Sequence, residues 1–272
     1  MPVIPRMFEV HEQSVESPAL ALRYHLNPWD EPTVGAPVAA ISGIEVHDAD
    51  RAGDDFRKFR DWCSVSGVAL VSCRLFHDRL AECAFLESQG FRFIELNYRP
   101  ELSGLQMLDQ GAADEFVVET ATSADADPIA EIAGKIFEAG RFRADPLIEP
   151  KIGDLRYRRW VENAFHNSAQ SVLKCGRDGR IEAFFIVEMP QRDHRFWSLV
   201  GLAPGLGGRG LGTRVWRAML RWHRGEGVDR VATSISSLNS AVFNLYVKLG
   251  FRFPPPSITL HWCPRGLVSR PA

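Results

Sequence analysis

Apolar residues along the chain alternate between two spacings, one helical turn and unbroken short runs, and this alternation predicts an α/β protein. Phe56, Phe59 and Trp62 recur about one helical turn apart and predict a helix over 50–65; Gly53 leaves its start open to 54, and Gly67 ends it. The run 68–72 predicts a strand, 78–88 a second helix stopped by Gly90, and 91–97 another strand. Ahead of them the first thirty-odd residues read as irregular, with a turn-rich stretch at 27–32 and a short strand at 38–41. Residues 104–115 are polar and contain glycine, which marks a boundary. Beyond it, 116–121 predicts a strand, and Thr122 to Asp125 cap a helix carrying Ile129, Ile132 and Ile136.

A loop dense in charge follows at 140–146, then an amphipathic helix over 156–166 with Tyr157, Trp160, Val161 and Phe165. Strands at 171–175 and 181–188 flank a turn at 177–179. The strand 196–203 runs into five glycines within eight residues, Gly205, Gly207, Gly208, Gly210 and Gly212. A helix over 213–222 stops at Gly227, and a strand at 231–234, a helix at 240–249 and a last strand within 251–261 complete the chain.

The chain also matches itself. Trp62 falls on Trp222, 160 positions later, and with it Gly67 on Gly227, Val68 on Val228, Val71 on Val231 and Ala81 on Ala241. Gly90-Phe91-Arg92-Phe93 falls on Gly250-Phe251-Arg252-Phe253, so the repeated order is helix, glycine stop, strand, helix, glycine stop, strand. The counterpart of Gly207 to Gly212 is His47-Asp48-Ala49-Asp50-Arg51-Ala52, without a glycine; Asn239 falls on Arg79 and Tyr246 on Leu86. A duplicated scaffold whose first copy lacks the site assigns the chemistry to the second.

Composition narrows the partners. A net charge of −2 offers no electrostatic reason to expect nucleic acid or an anionic membrane. The start of the chain does not read as a signal peptide, no apolar run nears membrane-spanning length, and the five cysteines show no zinc spacing. Reduced thiols in a cytoplasmic protein are the plain reading, and no metal is implied.

A glycine loop between a strand and a helix turns backbone N–H groups toward phosphate. Gly205-x-Gly207-x-x-Gly210 matches the dinucleotide fingerprint, which calls for an acidic residue at the end of the next strand; that strand leads instead into Ser236-Ser237-Leu238-Asn239. A P-loop needs a lysine before Thr213, where Gly212 stands.

From Leu202-x-Pro204 through Gly212, with Asn239, Tyr246 and Gly250-Phe251, the stretch resembles the acetyl-CoA site of the GNAT superfamily of N-acetyltransferases. Their loop pattern, Arg/Gln-x-x-Gly-x-Gly/Ala, falls on Gly207-Gly208-Arg209-Gly210-Leu211-Gly212, with Gly207 departing from the usual first residue. Arg141-Phe142-Arg143-Ala144 and Tyr157-x-x-Trp160-x-x-Asn163, behind a degenerate first half, resemble the dTDP-fucosamine acetyltransferase family, which acetylates TDP-4-amino-4,6-dideoxygalactose.

The resemblance implies two GNAT-like halves, 1–115 degenerate and 116–272 catalytic, each with a mixed sheet flanked by helices. It implies direct acetyl transfer from acetyl-CoA to a primary amine, without an acyl-enzyme. Backbone groups of Val200, Gly201 and Leu202 would receive the acetyl carbonyl and pantetheine, and N–H groups from Gly207, Gly208, Arg209, Gly210, Leu211, Gly212 and Thr213 the pyrophosphate. Tyr246 is the candidate general acid for the leaving thiolate, against the plainer reading of an inward aromatic beside Val242, Phe243 and Leu249. Asn239 either caps the last helix or binds pantetheine. Glu188 and His194 are candidates to take the amine's proton, or else strand-end surface residues.

Arg141, Arg143, Asp145, Tyr157 and Trp160 could line the acceptor site, arginine gripping a diphosphate and the rings stacking on sugar or base. The alternative is a charged loop beside the buried face of an amphipathic helix. The acceptor is a nucleotide-linked amino sugar, another small-molecule amine or a protein amine. A CoA-binding regulatory module without catalysis is the rival from another class, and a homodimer is left open.

Overall fold

The computed structural model describes residues 11–107, 115–207, 210–266 and 268–269. In chain order the elements are β1 (Gln13–Glu16), β2 (Leu20–Leu26), α1 (Glu31–Val34), β3 (Val38–Val46), α2 (Ala49–Val65), β4 (Leu70–Phe76), α3 (Leu80–Ser88), β5 (Arg92–Tyr98) and β6 (Glu101–Ser103). Next come β7 (Val117–Thr120), α4 (Ala126–Ile136), α5 (Arg141–Ala144), α6 (Pro150–His166), β8 (Gln170–Gly176), β9 (Ala183–Gln191) and β10 (His194–Leu202). The chain ends with α7 (Leu211–Gly225), β11 (Arg230–Thr233), β12 (Ile235–Ser236), α8 (Ser240–Lys248) and β13 (Ser257–Trp262). No helix among the described residues is long and apolar enough to cross a membrane.

Tertiary packing divides the chain into two compact units: Met1–Asn97 with Arg141–Gly153 and Pro255–Ala272, and Tyr98–Gly140 with Asp154–Pro254. They interleave in sequence, and the boundary expected at 115–116 falls inside the second. The first unit orders its strands β1-β2-β3-β4-β13-β5. Phe56, Phe59 and Cys63 of α2 and Phe85 and Leu86 of α3 pack on Leu22, Tyr24, Val71, Cys73 and Leu260 of these strands. Asp48 starts α2, its carboxylate accepting from the N–H groups of Asp50 and Arg51, so the acidic stretch that replaces the glycine loop serves as a helix cap. Two expectations are corrected here. The N-terminal stretch holds the β1–β2 hairpin, with Leu20, Leu22 and Tyr24 alternating inward, and the loop expected at 140–146 holds the one-turn helix α5.

The second unit is a six-stranded sheet, β6-β11-β10-β9-β8-β7. Helices α7 and α8 cover one face, with Val215, Trp216, Met219 and Tyr246 against Phe185, Val187, Trp197 and Val231. Helices α4 and α6 cover the other, with Ile129, Ala133, Tyr157 and Val161 against Phe184, Ile186 and Leu199.

The repeat is present in three dimensions. Helix α3 over 80–88 and α8 over 240–248 share their bounds after the shift, and both glycine stops close alike. The Phe91 N–H donates to Leu86 O at 3.0 Å past Gly90 (φ 88°), as Phe251 N–H does to Tyr246 O at 3.0 Å past Gly250 (φ 86°). The repeat then breaks. Where β5 continues through Ile94, Glu95 and Leu96, the second copy has Pro254, Pro255 and Pro256, which cannot donate to a ladder. The chain leaves the second sheet there, and β13 pairs antiparallel with both β4 and β5. Conversely β6, which follows β5, pairs with β11.

Candidate active site

The site grows from one parallel pairing that stops early. β10 and β11 pair from His194↔Arg230 to Trp197↔Thr233, and β10 then runs on to Leu202 while its other edge stays bonded to β9 as far as Ala183. The strands fork. Backbone N–H and C=O groups of 198–202 on the β11 side have no ladder partner among the described residues, an open edge onto which an extended ligand can lie. Val200 and Leu202 are half-buried there and Gly201 is buried. A Cβ on Gly201 would stand 2.3 Å from Ile136 Cδ1 and 2.5 Å from Phe184 Cε1, so glycine lets α4 approach the fork.

The glycine turn follows the fork. Gly205 (φ 79°) and Gly210 (φ 73°) take left-handed backbone that side chains disfavour, and around them and Gly207 the space is open. Gly210 occupies the N-cap of α7 without a side-chain cap, so the first-turn N–H groups at Leu211, Gly212 and Thr213 carry no side-chain acceptor from it. Gly208 and Arg209 lie outside the described residues.

Tyr246 stands behind the fork point. It is 1% exposed, its ring 4.7 Å from Phe251 and 6.5 Å from Trp216. Burial pushes its phenol up to about 12, opposed by the Trp216 and Thr233 side chains beside it. Thr233, the last paired residue of β11, lies beside the phenol and donates its hydroxyl to Trp197 O at 2.8 Å. Beneath it, Trp197 Nε1 donates to His223 Nε2 at 2.9 Å in full burial. Asn239 is the N-cap of α8, Oδ1 accepting from Val242 N–H at 3.2 Å.

On the opposite face, one cross-strand row runs Gln170, Glu188, Phe196, Ala232, Glu101, one residue before the fork. Glu188 is 9% exposed. Burial raises its carboxyl above the usual range, against hydrogen bonds from Gln170 (2.8 Å) and Ser198 and the charge of Arg99. His194, two residues before Phe196, is lowered by burial first and by the Arg230 charge next.

The residues expected at the acceptor are divided between the two units. Arg141 and Arg143 belong to the first unit, Tyr157 and Trp160 to the second. Arg141 is held by Asp30 Oδ2 at 3.2 Å and His261 Nε2 at 3.3 Å, and Asp145 is 1% exposed beneath Arg92 (2.9 Å) and His261 Nδ1 (2.9 Å). A half-buried guanidinium and a buried carboxylate need partners, and here each has them within the first unit. Arg143 packs along Gly153. Tyr157 stacks on Phe137 at 4.2 Å and on Trp160 at 6.3 Å, within the α4–α6 core. Thr233 and Arg99 escaped the sequence reading, because only the strand register brings them to the fork.

A strand edge opened beside its parallel neighbour, a glycine turn and a helix N-terminus without a side-chain cap follow one another along the chain. Residues 138–251 match the model of the acetyltransferase (GNAT) family, whose enzymes use acetyl-CoA as acyl donor. Among solved structures, the chain is similar to a tandem GNAT protein from the clavulanic acid biosynthesis pathway, at 16% identity and a TM-score of 0.56 over 90% of this chain and 79% of that one. It is similar also to GCN5-related N-acetyltransferases from Kribbella flavida (14% identity, TM-score 0.57, 92% and 89% covered) and Sphaerobacter thermophilus (12%, 0.61, 93% and 83%). No curated protein matches it by sequence.

Proposed function

We propose that the protein is an acetyl-CoA-dependent N-acetyltransferase acting on a primary amine, with Tyr246 as general acid. The observation that carries this reading is the fork: the open edge of β10 begins beside Thr233, whose side chain neighbours the Tyr246 phenol. The residues fit acetyl-CoA, since the edge at Val200, Gly201 and Leu202 offers unpaired backbone and the space over Gly205, Gly207 and Gly210 is open. Bound there, acetyl-CoA supplies an activated acetyl thioester. N–H groups of Gly207, Gly208, Arg209, Gly210, Leu211, Gly212 and Thr213 would hold its pyrophosphate, and the Asn239 amide N–H₂, left over from capping, would serve pantetheine. A backbone N–H on the β10 edge stabilises charge developing on the acetyl oxygen. The phenol, kept protonated across the physiological range, can deliver its proton to the departing thiolate.

The first copy of the repeat, with Asp48 capping a helix where the glycine turn would be and Leu86 in place of Tyr246, is a degenerate scaffold without a site of its own. The acceptor implied by the resemblance is the amino group of a nucleotide-linked amino sugar. Purified protein with acetyl-CoA, tested against amino-sugar nucleotides and simple amines, should release CoA thiol with at least one class. Tight acetyl-CoA binding without turnover on any amine would refute the enzymatic reading.

A further inference from the structure

The face of the second sheet opposite Tyr246 carries an acid and a base that the acid step leaves unused. Glu188 extends the line of Phe184 and Ile186 on that face, while Tyr246 packs with Phe185, Val187 and Trp197 on the other. Both belong to adjacent rungs: Glu188 pairs with Phe196, and Trp197 with Thr233.

Arg99 reaches the same place from the edge. The chain beside it is tied to the fork, Thr233 N–H donating to Pro100 O at 3.1 Å, and its guanidinium carbon lies 5.1 Å from the Phe196 ring centroid. The Glu101 carboxylate, which could neutralise it, already accepts from Ser103 at 3.0 Å and faces Arg230 at 3.8 Å. Among the described residues Arg99 has neither a hydrogen-bonded partner nor an ion pair, though burial lowers its pKa. Ala232, the small residue of the row, leaves the floor between Phe196 and Glu101 low. A guanidinium with all five donors unspent, beside a carboxylate with acceptor capacity to spare, presents opposite charges to one ligand.

We propose that Arg99 and Glu188 form a two-point acceptor site that selects an amine carrying an anionic group, the guanidinium holding the anion and the carboxylate the ammonium. This rests on the acetyltransferase reading above. Glu188 takes one ammonium proton. The freed amine nitrogen bonds the acetyl carbon as the carbon–sulfur bond breaks, the sulfur receives the Tyr246 proton, and the second nitrogen proton restores the phenol. Gln170 is a positioning residue that holds the carboxylate. The anion is a carboxylate, as in an amino acid, or a phosphate, as in an amino-sugar phosphate.

The test compares the twenty common amino acids with their carboxamides, and glucosamine 6-phosphate with glucosamine. Binding is measured by calorimetry in the presence of CoA, and turnover by thiol release with acetyl-CoA. Wild type should favour the anionic member of at least one pair by about tenfold or more, and the responding pair names the source of the anion. Arg99→Gln should erase that preference, with Arg99→Lys retaining part of it. Glu188→Gln should lower kcat and remove the acidic limb of its pH profile without changing acetyl-CoA affinity. Neutral members bound as well as anionic ones, or no anionic member bound at all, would overturn the proposal, and this comparison needs no variant to fold. Loss of acetyl-CoA binding itself would instead overturn the acetyltransferase reading, and the acceptor site with it.

Discussion

Replacing Tyr246 with phenylalanine separates chemistry from packing. The ring keeps its contacts with Phe251 and Trp216, and only a hydroxyl in full burial is removed. The structural loss is at most the polar contact of one buried hydroxyl, about 1 kcal/mol, or about 2–4 °C in Tm for a chain of this size. Packing by itself asks for nothing polar at this position, since the repeat places Leu86, equally buried, at its equivalent. If the phenol protonates the leaving thiolate, its loss removes about 10²–10⁴ in kcat, while acetyl-CoA affinity, which the proposal assigns to the β10 edge and the glycine turn, stays the same. Thiol release under saturating acetyl-CoA gives kcat, calorimetry the affinity and thermal melting the stability. A kcat within about threefold of wild type in a folded, acetyl-CoA-binding variant would refute the acid role and leave Tyr246 a core aromatic.

Acid should destabilise the fold through two buried histidines. His223 is lowered to about 3 and His261 to about 4, in both cases chiefly by burial, so the unfolded chain takes up protons first as pH falls. Their contribution is complete above pH about 6.5 and shrinks as pH drops toward the folded values, by about 2 kcal/mol each at pH 5; a urea midpoint unchanged between pH 7.5 and 5 would contradict it. Gly201→Ala drives a Cβ into Ile136 and Phe184, and overpacking should cost about 1–3 kcal/mol and weaken acetyl-CoA binding; wild-type Tm and affinity would show that α4 yields freely. Asn239→Ala should lower stability by about 1 kcal/mol through the lost cap of α8, and an unchanged melting curve would disprove that contribution.

Much of this protein was settled by local sequence. Helix α3 and its repeat α8, the glycine stops at Gly67, Gly90, Gly227 and Gly250, and the turn between β10 and α7 follow from apolar spacing and from backbone that only glycine adopts readily, and neighbouring residues decide both. The tertiary structure alone decided which strands meet. That β10 and β11 part after Trp197 and Thr233, that β13 joins β4 and β5, and that Arg141 and Asp145 are consumed by Asp30, Arg92 and His261 depend on partners far away in the chain. Pro254 to Pro256 announced that no strand would form there, yet not where the chain would go next. Glu188 shows the same limit: its carboxylate was visible in sequence as a strand-end charge, but its burial beside Arg99 and opposite Tyr246 arises from register across five strands. Register is set by the summed hydrogen bonding and burial of whole strands, and no local window of sequence contains that sum.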